Sequence, residues 1–215
     1  MMARNGYNEG CLAAHALDLV GDRWAILVLR ELMLGPKRFG AIKAGLPGIA
    51  TNVLTQRLDD LAAAALLERR TLPPPANVAV YALTPAGQDA RLIIDALCLW
   101  GVRQPGHDPR KFISPTALML SMQVMYHAPA DAPALTAAFT MGGEIFATRA
   151  DAEGFHVQPA PDDTAALRLA GPANAMAAVI YGPLPLADSL STGGVRFDGD
   201  PAMGQALIDR FALRR

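Results

Sequence analysis

The chain has 215 residues, of which 52% are apolar and 18% charged, with a net charge of −1 at pH 7. Forty residues are alanine, so the apolar fraction overstates the number of large core side chains. The longest uninterrupted apolar run, Leu61 to Leu67, has seven residues, whereas a membrane-spanning helix needs about 18. His15 and Asp18 interrupt the N-terminal stretch, which therefore lacks a secretory h-region. We expect a cytoplasmic protein with no membrane partner.

Cysteine, histidine and motif spacing give no sign of a metal, a cofactor or a catalytic site. Cys11 and Cys98 are far apart and form no CxxC pair, so neither a disulfide framework nor a zinc site is indicated. The four histidines lack the spacing of metal ligands. The chain contains no GxSxG, P-loop or GxGxxG sequence. We therefore expect no metal, no cofactor and no enzymatic activity.

The charge distribution divides the chain near Gln104. Up to that residue there are 11 Lys and Arg against 9 Asp and Glu, whereas from Pro105 onward there are 8 against 11. The segment that follows, PGHDPRKF, is rich in proline, glycine and charge, as linkers are. We predict an α+β protein with two domains, residues 1–104 and 114–215, joined by a linker at 105–113.

The first domain is predicted to consist of short helices, a β-hairpin and a longer last helix. Helical spacing and strand alternation give the segments 11–20, 23–34, 39–44, 52–64, 66–72 and 78–83, then a long helix through Trp100. Asp22 is expected to cap the second helix. Thr84-Pro85 supplies the hydroxyl and the proline that open the last one.

This order of elements is that of a winged helix-turn-helix, whose second helix can enter a DNA major groove about 12 Å wide. We expect that helix to present a polar face opposite Leu54, Leu58 and Leu61, formed by Thr51, Asn52, Thr55, Gln56 and Arg57. Amide side chains there can pair with adenine, and Arg with guanine or phosphate. Outside that helix, the candidate phosphate contacts are Lys37, Arg38, Arg69, Arg70 and Asn77. A winged helix that serves only as a protein-protein module is the alternative.

Residues Cys11 to Gly101 resemble HxlR-type winged helix-turn-helix regulators, which are relatives of the MarR type. The matching segments are 16–24, 29–32, 35–39, 46–49, 54–58 and 81–87. The resemblance implies a homodimer joined through the first and last helices of the domain. Each protomer would then read one half of a palindromic site in double-stranded DNA, about 34 Å from the other half.

Several positions depart from the family pattern. Ala50 replaces the usual serine before the recognition helix, so Thr51 is expected to cap it one residue later. Asn52 and Asn77 stand where basic residues are common, which would weaken the phosphate contribution to affinity. Ala65 replaces a glycine, at a cost of order 1 kcal/mol if that position is left-handed.

Cys11 stands where many members of this family carry an N-terminal cysteine, which in some senses oxidants or electrophiles. A thiolate near a helix N-terminus has a lowered pKa and raised reactivity. The alternative is that Cys11 packs as a small apolar residue.

The second domain is predicted to contain a helix at 116–126, then strands at 134–139, 144–149, 154–158 and 165–170, and helices at 174–181, 186–190 and 201–211. Residues 116–213, and Gly199-Asp200-Pro201 above all, resemble the sterol-carrier-protein type of domain. That resemblance implies a sheet and helices around an apolar tunnel.

The candidate ligand-binding side chains of the second domain combine flexible, aromatic and polar groups: Met119, Met122, Gln123, Met125, Tyr126, His127 and Phe146. The alternative is that the methionines only fill the core. We expect a dimeric, DNA-binding repressor that responds to a hydrophobic or aromatic small molecule. The other hypotheses are a carrier or scavenger of such molecules that uses the winged helix only to dimerise, and a regulator that senses through Cys11.

Overall fold

The computed structural model describes residues 6–213 and divides into two compact units, one ending at Ile94 and one beginning at Asp95. The predicted linker at 105–113 lies beyond this division and remains a prediction. None of the helices in the described residues is long and apolar enough to cross a membrane.

The N-terminal unit contains the elements of a winged helix-turn-helix. Its helices and strands are α1 (Leu12–Val20), α2 (Ala25–Leu32), α3 (Phe39–Ala44), α4 (Thr51–Ala63), β1 (Leu67–Thr71), β2 (Ala79–Leu83), α5 (Pro85–Asp89) and the start of α6 (Arg91–Gly101). β1 and β2 pair antiparallel, with Leu67 opposite Leu83 and Thr71 opposite Ala79. Lys37 extends this hairpin by one backbone bridge to Tyr81. The predicted hairpin is therefore confirmed.

A small apolar core holds α4 in place. Leu54, Leu58 and Leu61 repeat at helical spacing and are buried. Ile42 of α3 and Leu29 of α2 are also fully buried. The recognition helix is therefore anchored along one side, and its opposite side is left in solvent.

The segment after α4 is fixed by a shared set of hydrogen bonds. Ala65 has φ +56°, so this position, where the family carries glycine, is left-handed. The Thr84 hydroxyl donates to the Ala65 carbonyl at 2.6 Å and accepts from the Gly87 N–H at 3.2 Å. The Thr84 N–H donates to the Leu66 carbonyl at 3.1 Å. One residue thus joins the end of α4, the start of β1 and the start of α5.

Three sequence expectations about helix ends are wrong. Trp24, not Asp22, occupies the N-cap position of α2, with no side-chain cap. The cap position of α4 is Ala50, and Thr51 is already its first helical residue. The long last helix is interrupted at Ala90, which ends α5 before α6 begins.

The C-terminal unit is an α+β layer. After the end of α6 it contains α7 (Pro115–Met125), β3 (Leu135–Met141), β4 (Glu144–Asp151), β5 (Gly154–Pro159), β6 (Leu167–Ala170), α8 (Ala173–Tyr181), α9 (Leu186–Ser191), β7 (Arg196–Asp198) and α10 (Pro201–Ile208). The sheet has the order β5-β4-β3-β6-β7, with β3 and β6 parallel and the other neighbours antiparallel. The predicted helices and strands are found, and β7 is an addition.

Arg210, which follows α10, makes hydrogen bonds to main-chain groups far from it in sequence. Its side chain is buried, and its guanidinium donates to the carbonyls of Ala150 at 3.0 Å and Pro133 at 2.8 Å. The same group lies 3.4 Å from the Tyr126 hydroxyl, which donates to the Asp151 carbonyl. A single charged side chain therefore satisfies main-chain acceptors from two separate segments.

Candidate nucleic-acid interface

The solvent side of α4 carries most of the predicted base-reading side chains. Thr51, Asn52, Thr55 and Gln56 are all exposed. The Thr55 hydroxyl donates to the Thr51 carbonyl, and Gln56 Nε2 donates to Asp60 Oδ1 at 2.8 Å. Both bonds are local to one helix and exposed to solvent. These side chains can therefore exchange their partners for groups in a DNA groove.

Arg57 does not share that face, which corrects the sequence expectation. Its side chain is 17% exposed and lies on the flank of the buried leucine stripe. The guanidinium forms ion pairs with Asp22 and with Asp60, the latter at 3.1 Å. The expectation was wrong because Arg57 follows Leu54 by three residues and precedes Leu61 by four, and residues at these spacings share a side of a helix.

Lys37 is also held within the protein. It is buried, with Nζ 3.6 Å from Glu31 Oε2, and its backbone N–H and carbonyl pair with Tyr81. Glu31 is fully buried and accepts hydrogen bonds from the Arg30 guanidinium at 2.7 and 3.1 Å. Arg30 and Glu31 thus form a structural ion pair. Lys37 belongs to the same ion cluster instead of reaching into solvent.

The remaining predicted phosphate contacts are exposed. Arg38 stands at the N-cap position of α3, and Arg69 and Arg70 project from β1. Arg70 makes a loose ion pair with Glu68 at 3.8 Å. Asn77, between the two strands, has φ +40°, a left-handed conformation that asparagine tolerates better than most residues. The wing thus offers two cations and an amide to solvent.

Lys43 is a candidate that the sequence analysis missed. It is exposed at the end of α3, and its Nζ lies 2.5 Å from the Thr51 hydroxyl at the start of α4. The N-terminus of a helix favours anions because its N–H groups and dipole point outward. A cation beside it adds to that preference. The signal available in the sequence was a lysine eight residues before the first residue of the recognition helix, a pattern too common to single out.

Cys11 stands at the N-cap position of α1 and is exposed. The backbone N–H groups of Ala14 and Ala13 at the start of the helix hold the pKa of the thiol below its usual value. Among residues 6–213, no basic side chain contributes to this shift. The start of the helix therefore stabilises the thiolate.

In the C-terminal unit, the predicted ligand-binding residues separate into two groups. Buried side chains of the core form the first group: Met119, Met122, Met125 and Phe146. Half-buried polar side chains at and beyond the end of α7 form the second: Gln123, Tyr126 and His127. Tyr126 stacks near Phe155 and Phe211, at ring-centre distances of 6.0 and 5.5 Å. α7 is thus a core helix whose C-terminal end adjoins an aromatic cluster.

An open depression of about 530 Å³ lies at the ends of β3, β6 and β7. Its lining is mostly glycine and small side chains: Thr140, Gly142, Ala170, Gly171, Gly193, Gly194, Val195 and Arg196. It contains none of the predicted ligand-binding residues.

Three potential metal ligands meet at the β4–β5 turn, although the sequence spacing gave no metal pattern. The ligand atoms of Asp151, Glu153 and His156 lie within 4.8 Å of one another. The Asp151 carboxylate is already engaged by the N–H groups of Glu153 and Gly154 and by Arg149. Burial would raise its pKa, but these hydrogen bonds hold the pKa of Asp151 below the usual value. The carboxylate closes the turn, so we assign no metal here.

Comparison with known proteins places the N-terminal region in a family. A family model described as HxlR-like helix-turn-helix matches residues 19–108. The HTH-type transcriptional regulator sll1512 of Synechocystis is 36% identical over 87 residues, which are 40% of this chain and 64% of that protein. The regulator YodB of Bacillus subtilis is 34% identical over 85 residues, which are 40% of this chain and 76% of YodB.

A solved structure of the reduced form of YodB is 31% identical and covers 46% of this chain and 100% of that one, with a TM-score of 0.41. The matches to sll1512, to YodB and to the family model together cover the winged helix-turn-helix described above. Over about its first 110 residues, the chain therefore belongs to the HxlR family of helix-turn-helix transcriptional regulators.

Proposed function

We propose that the protein is a homodimeric repressor that binds a palindromic operator with α4 and the β1–β2 wing. The observation that carries the proposal is the exposed polar face of α4, where Asn52, Thr55 and Gln56 point away from a buried leucine stripe. Lys43, Arg38 and the wing arginines supply cations around that face, as phosphate binding requires.

Large apolar side chains exposed on α1 and α6 support the dimer. Leu12 is 86% exposed, Leu92 77% and Trp100 60%. Leu17, Ile93, Leu97 and Leu99 are also exposed on the same two helices. Apolar surface of this extent is typical of an interface that a second copy covers. The first and last helices of the domain are those through which the family resemblance implies pairing.

A binding experiment with one matched pair of variants tests this function. The wild-type chain should retain duplex from its own upstream region at about 50 mM salt. Gln56→Ala should lose about tenfold in operator affinity, because one good base contact contributes 1–3 kcal/mol of discrimination. Gln158→Ala, which removes an exposed glutamine from β5, serves as the control and should bind like wild type. Titration by fluorescence anisotropy gives all three affinities.

Two results would contradict the proposal. If the wild-type protein forms a dimer but retains no duplex, the winged helix only dimerises and the carrier or scavenger hypothesis is favoured. If Gln56→Ala and Gln158→Ala bind equally well, α4 does not read the operator.

The effector is proposed to be a hydrophobic or aromatic molecule bound by a sterol-carrier-like C-terminal domain. Support comes from the five-stranded sheet with its helices, and from the aromatic cluster that Tyr126 forms with Phe155 and Phe211. In the same anisotropy assay, a long-chain fatty acid or an apolar aromatic probe should release the duplex. The change in operator affinity is limited by how much more tightly the probe binds the DNA-free protein than the DNA-bound protein. An unchanged operator affinity at saturating probe would contradict this part.

We infer a second candidate function, regulation through the thiol of Cys11, from the exposure of that residue and the lowered pKa of its thiol. The relative YodB has been crystallised with quinone bound. In a Cys98→Ser background, alkylation of Cys11 by iodoacetamide should follow a pH profile whose midpoint lies below the value of about 8.5 typical of cysteine. In about 8 M urea, which unfolds the chain, the midpoint of alkylation should return to the value typical of cysteine, because the helix is lost.

A regulatory role requires more than a reactive thiol. Quinone or peroxide should weaken operator binding by wild type and leave Cys11→Ser unaffected. A Cys11→Ser protein that still responds would exclude Cys11 as the sensor, and non-reducing gels would show whether a disulfide forms.

A further inference from the structure

One ion cluster lies beside the exposed face of the recognition helix and is joined to that face by the hydrogen bond from Gln56 Nε2 to Asp60 Oδ1. Arg57 pairs through Nη1 with the Asp22 carboxylate and through Nη2 with Asp60 Oδ2 at 3.1 Å. The Arg57 side chain is 17% exposed, against 43% for Asp22. The cluster therefore joins the turn between α1 and α2 to the middle of α4.

The ion cluster lies to one side of the apolar contact that holds α4. Leu54, Leu58 and Leu61 form a single stripe, and a single stripe opposes separation of the helix more strongly than rotation about its axis. Arg57 lies on the flank of that stripe, away from the line of contact. A guanidinium that bridges carboxylates has a fixed planar geometry. An ion pair from Arg57 to Asp22, on the flank of the leucine stripe, opposes rotation of α4 about its axis.

We propose that Asp22 is a positioning residue for the recognition helix, acting through Arg57, and that Arg57 is not a phosphate ligand. The inference rests on the proposed binding of DNA by α4. A rotation of α4 would redirect Asn52 and Gln56 together, since both lie on the solvent side of the same rigid helix. Asp22 thus contributes to operator recognition without touching the operator.

The test compares operator affinity and its salt dependence among matched variants. Asp22→Asn and Arg57→Gln should each lower operator affinity about five- to tenfold. The slope of log affinity against log salt should stay unchanged in both, because no phosphate contact is lost. Asp22→Glu, which keeps the carboxylate, should recover most of the affinity. Thermal melts followed by circular dichroism identify any variant that has lost its fold.

Asp59→Asn is the control for charge alone. Asp59 is exposed on α4 two residues after Arg57, so its removal takes one negative charge from the same helix without disturbing the Asp22–Arg57 pair. Less repulsion of phosphate should leave its operator affinity equal to wild type or slightly higher. The opposite signs expected for Asp22→Asn and Asp59→Asn separate positioning from electrostatics.

Two outcomes would overturn the inference. One is tighter operator binding by Asp22→Asn together with a salt slope reduced by about 0.9 in Arg57→Gln, which would make Arg57 a phosphate ligand that Asp22 restrains. The other is an unchanged affinity in both variants.

Failure of the proposed function gives a different result, because the wild-type chain then binds no duplex. In that case, a double-mutant cycle on Asp22→Asn and Arg57→Gln, followed by urea unfolding, tests whether the ion pair couples the α1–α2 turn to α4. Non-additive midpoint shifts support it, and additive shifts overturn it.

Discussion

Gly87→Ala is expected to destabilise the N-terminal unit by about 3 kcal/mol, the size of a severe overpacking defect. A Cβ at this position would lie 1.9 Å from the Leu66 carbonyl oxygen and 2.9 Å from its carbon. Both are main-chain atoms at the start of the hairpin, and they cannot turn aside as a side chain can. The methyl group must therefore separate α5 from the segment between α4 and β1.

Urea unfolding of the full chain measures this effect. Trp24 fluorescence in a Trp100→Phe background reports on the N-terminal unit. Gly40→Ala is the matched control, because Gly40 also lies in a short helix but its added Cβ would meet no atom within 4 Å. That variant should be as stable as wild type or slightly more so, since alanine favours helix. Equal stability of the two variants would contradict the close approach at Gly87.

Arg210→Gln is expected to cost the C-terminal unit about 3 kcal/mol, because it takes a donor from the carbonyl of the buried Ala150 and removes a buried side chain that joins it to Pro133. The Arg210 guanidinium donates to Ala150 and to Pro133, and glutamine is too short to span both acceptors. The Tyr126 hydroxyl, 3.4 Å from the guanidinium, loses the same neighbour. The defect should therefore loosen the aromatic cluster at the end of α7.

Arg149→Gln is the matched control for Arg210→Gln. Arg149 forms an ion pair with Asp151, but its side chain is 63% exposed, and exposed pairs contribute little to stability. Its urea midpoint should stay close to that of wild type. If Arg210→Gln were equally stable, the main-chain acceptors around Arg210 would have found other donors and the assigned role would be wrong.

Local sequence signals predicted the secondary structure well wherever one element determined its own limits. Alternation and the turn-rich segment 73–77 located the hairpin, whose strands begin and end within a residue or so of the prediction. Thr84-Pro85 marked the start of α5, and the Thr84 hydroxyl caps it as expected. The break at Ala90 could not be predicted, because neither glycine nor proline marks it.

The site was harder to predict because burial of a charge depends on partners that are distant in sequence. Lys37 precedes α3 and Arg57 lies within α4, positions at which a basic side chain suits contacts with DNA. Lys37 is instead held near the fully buried Glu31, and Arg57 near Asp22. Conversely, the methionine-rich α7 is apolar on nearly every side, which is typical of a helix buried all round.

The hydrogen bonds of Thr84 limit how the DNA-reading region can deform. Its hydroxyl joins the Ala65 carbonyl to the Gly87 N–H, and its backbone N–H bonds to Leu66. The end of α4, the root of the wing and the start of α5 therefore have few independent degrees of freedom. The wing therefore cannot move independently of the recognition helix. To bind an operator with altered half-site spacing, the protein would have to move both elements as one rigid body, or the DNA would have to bend.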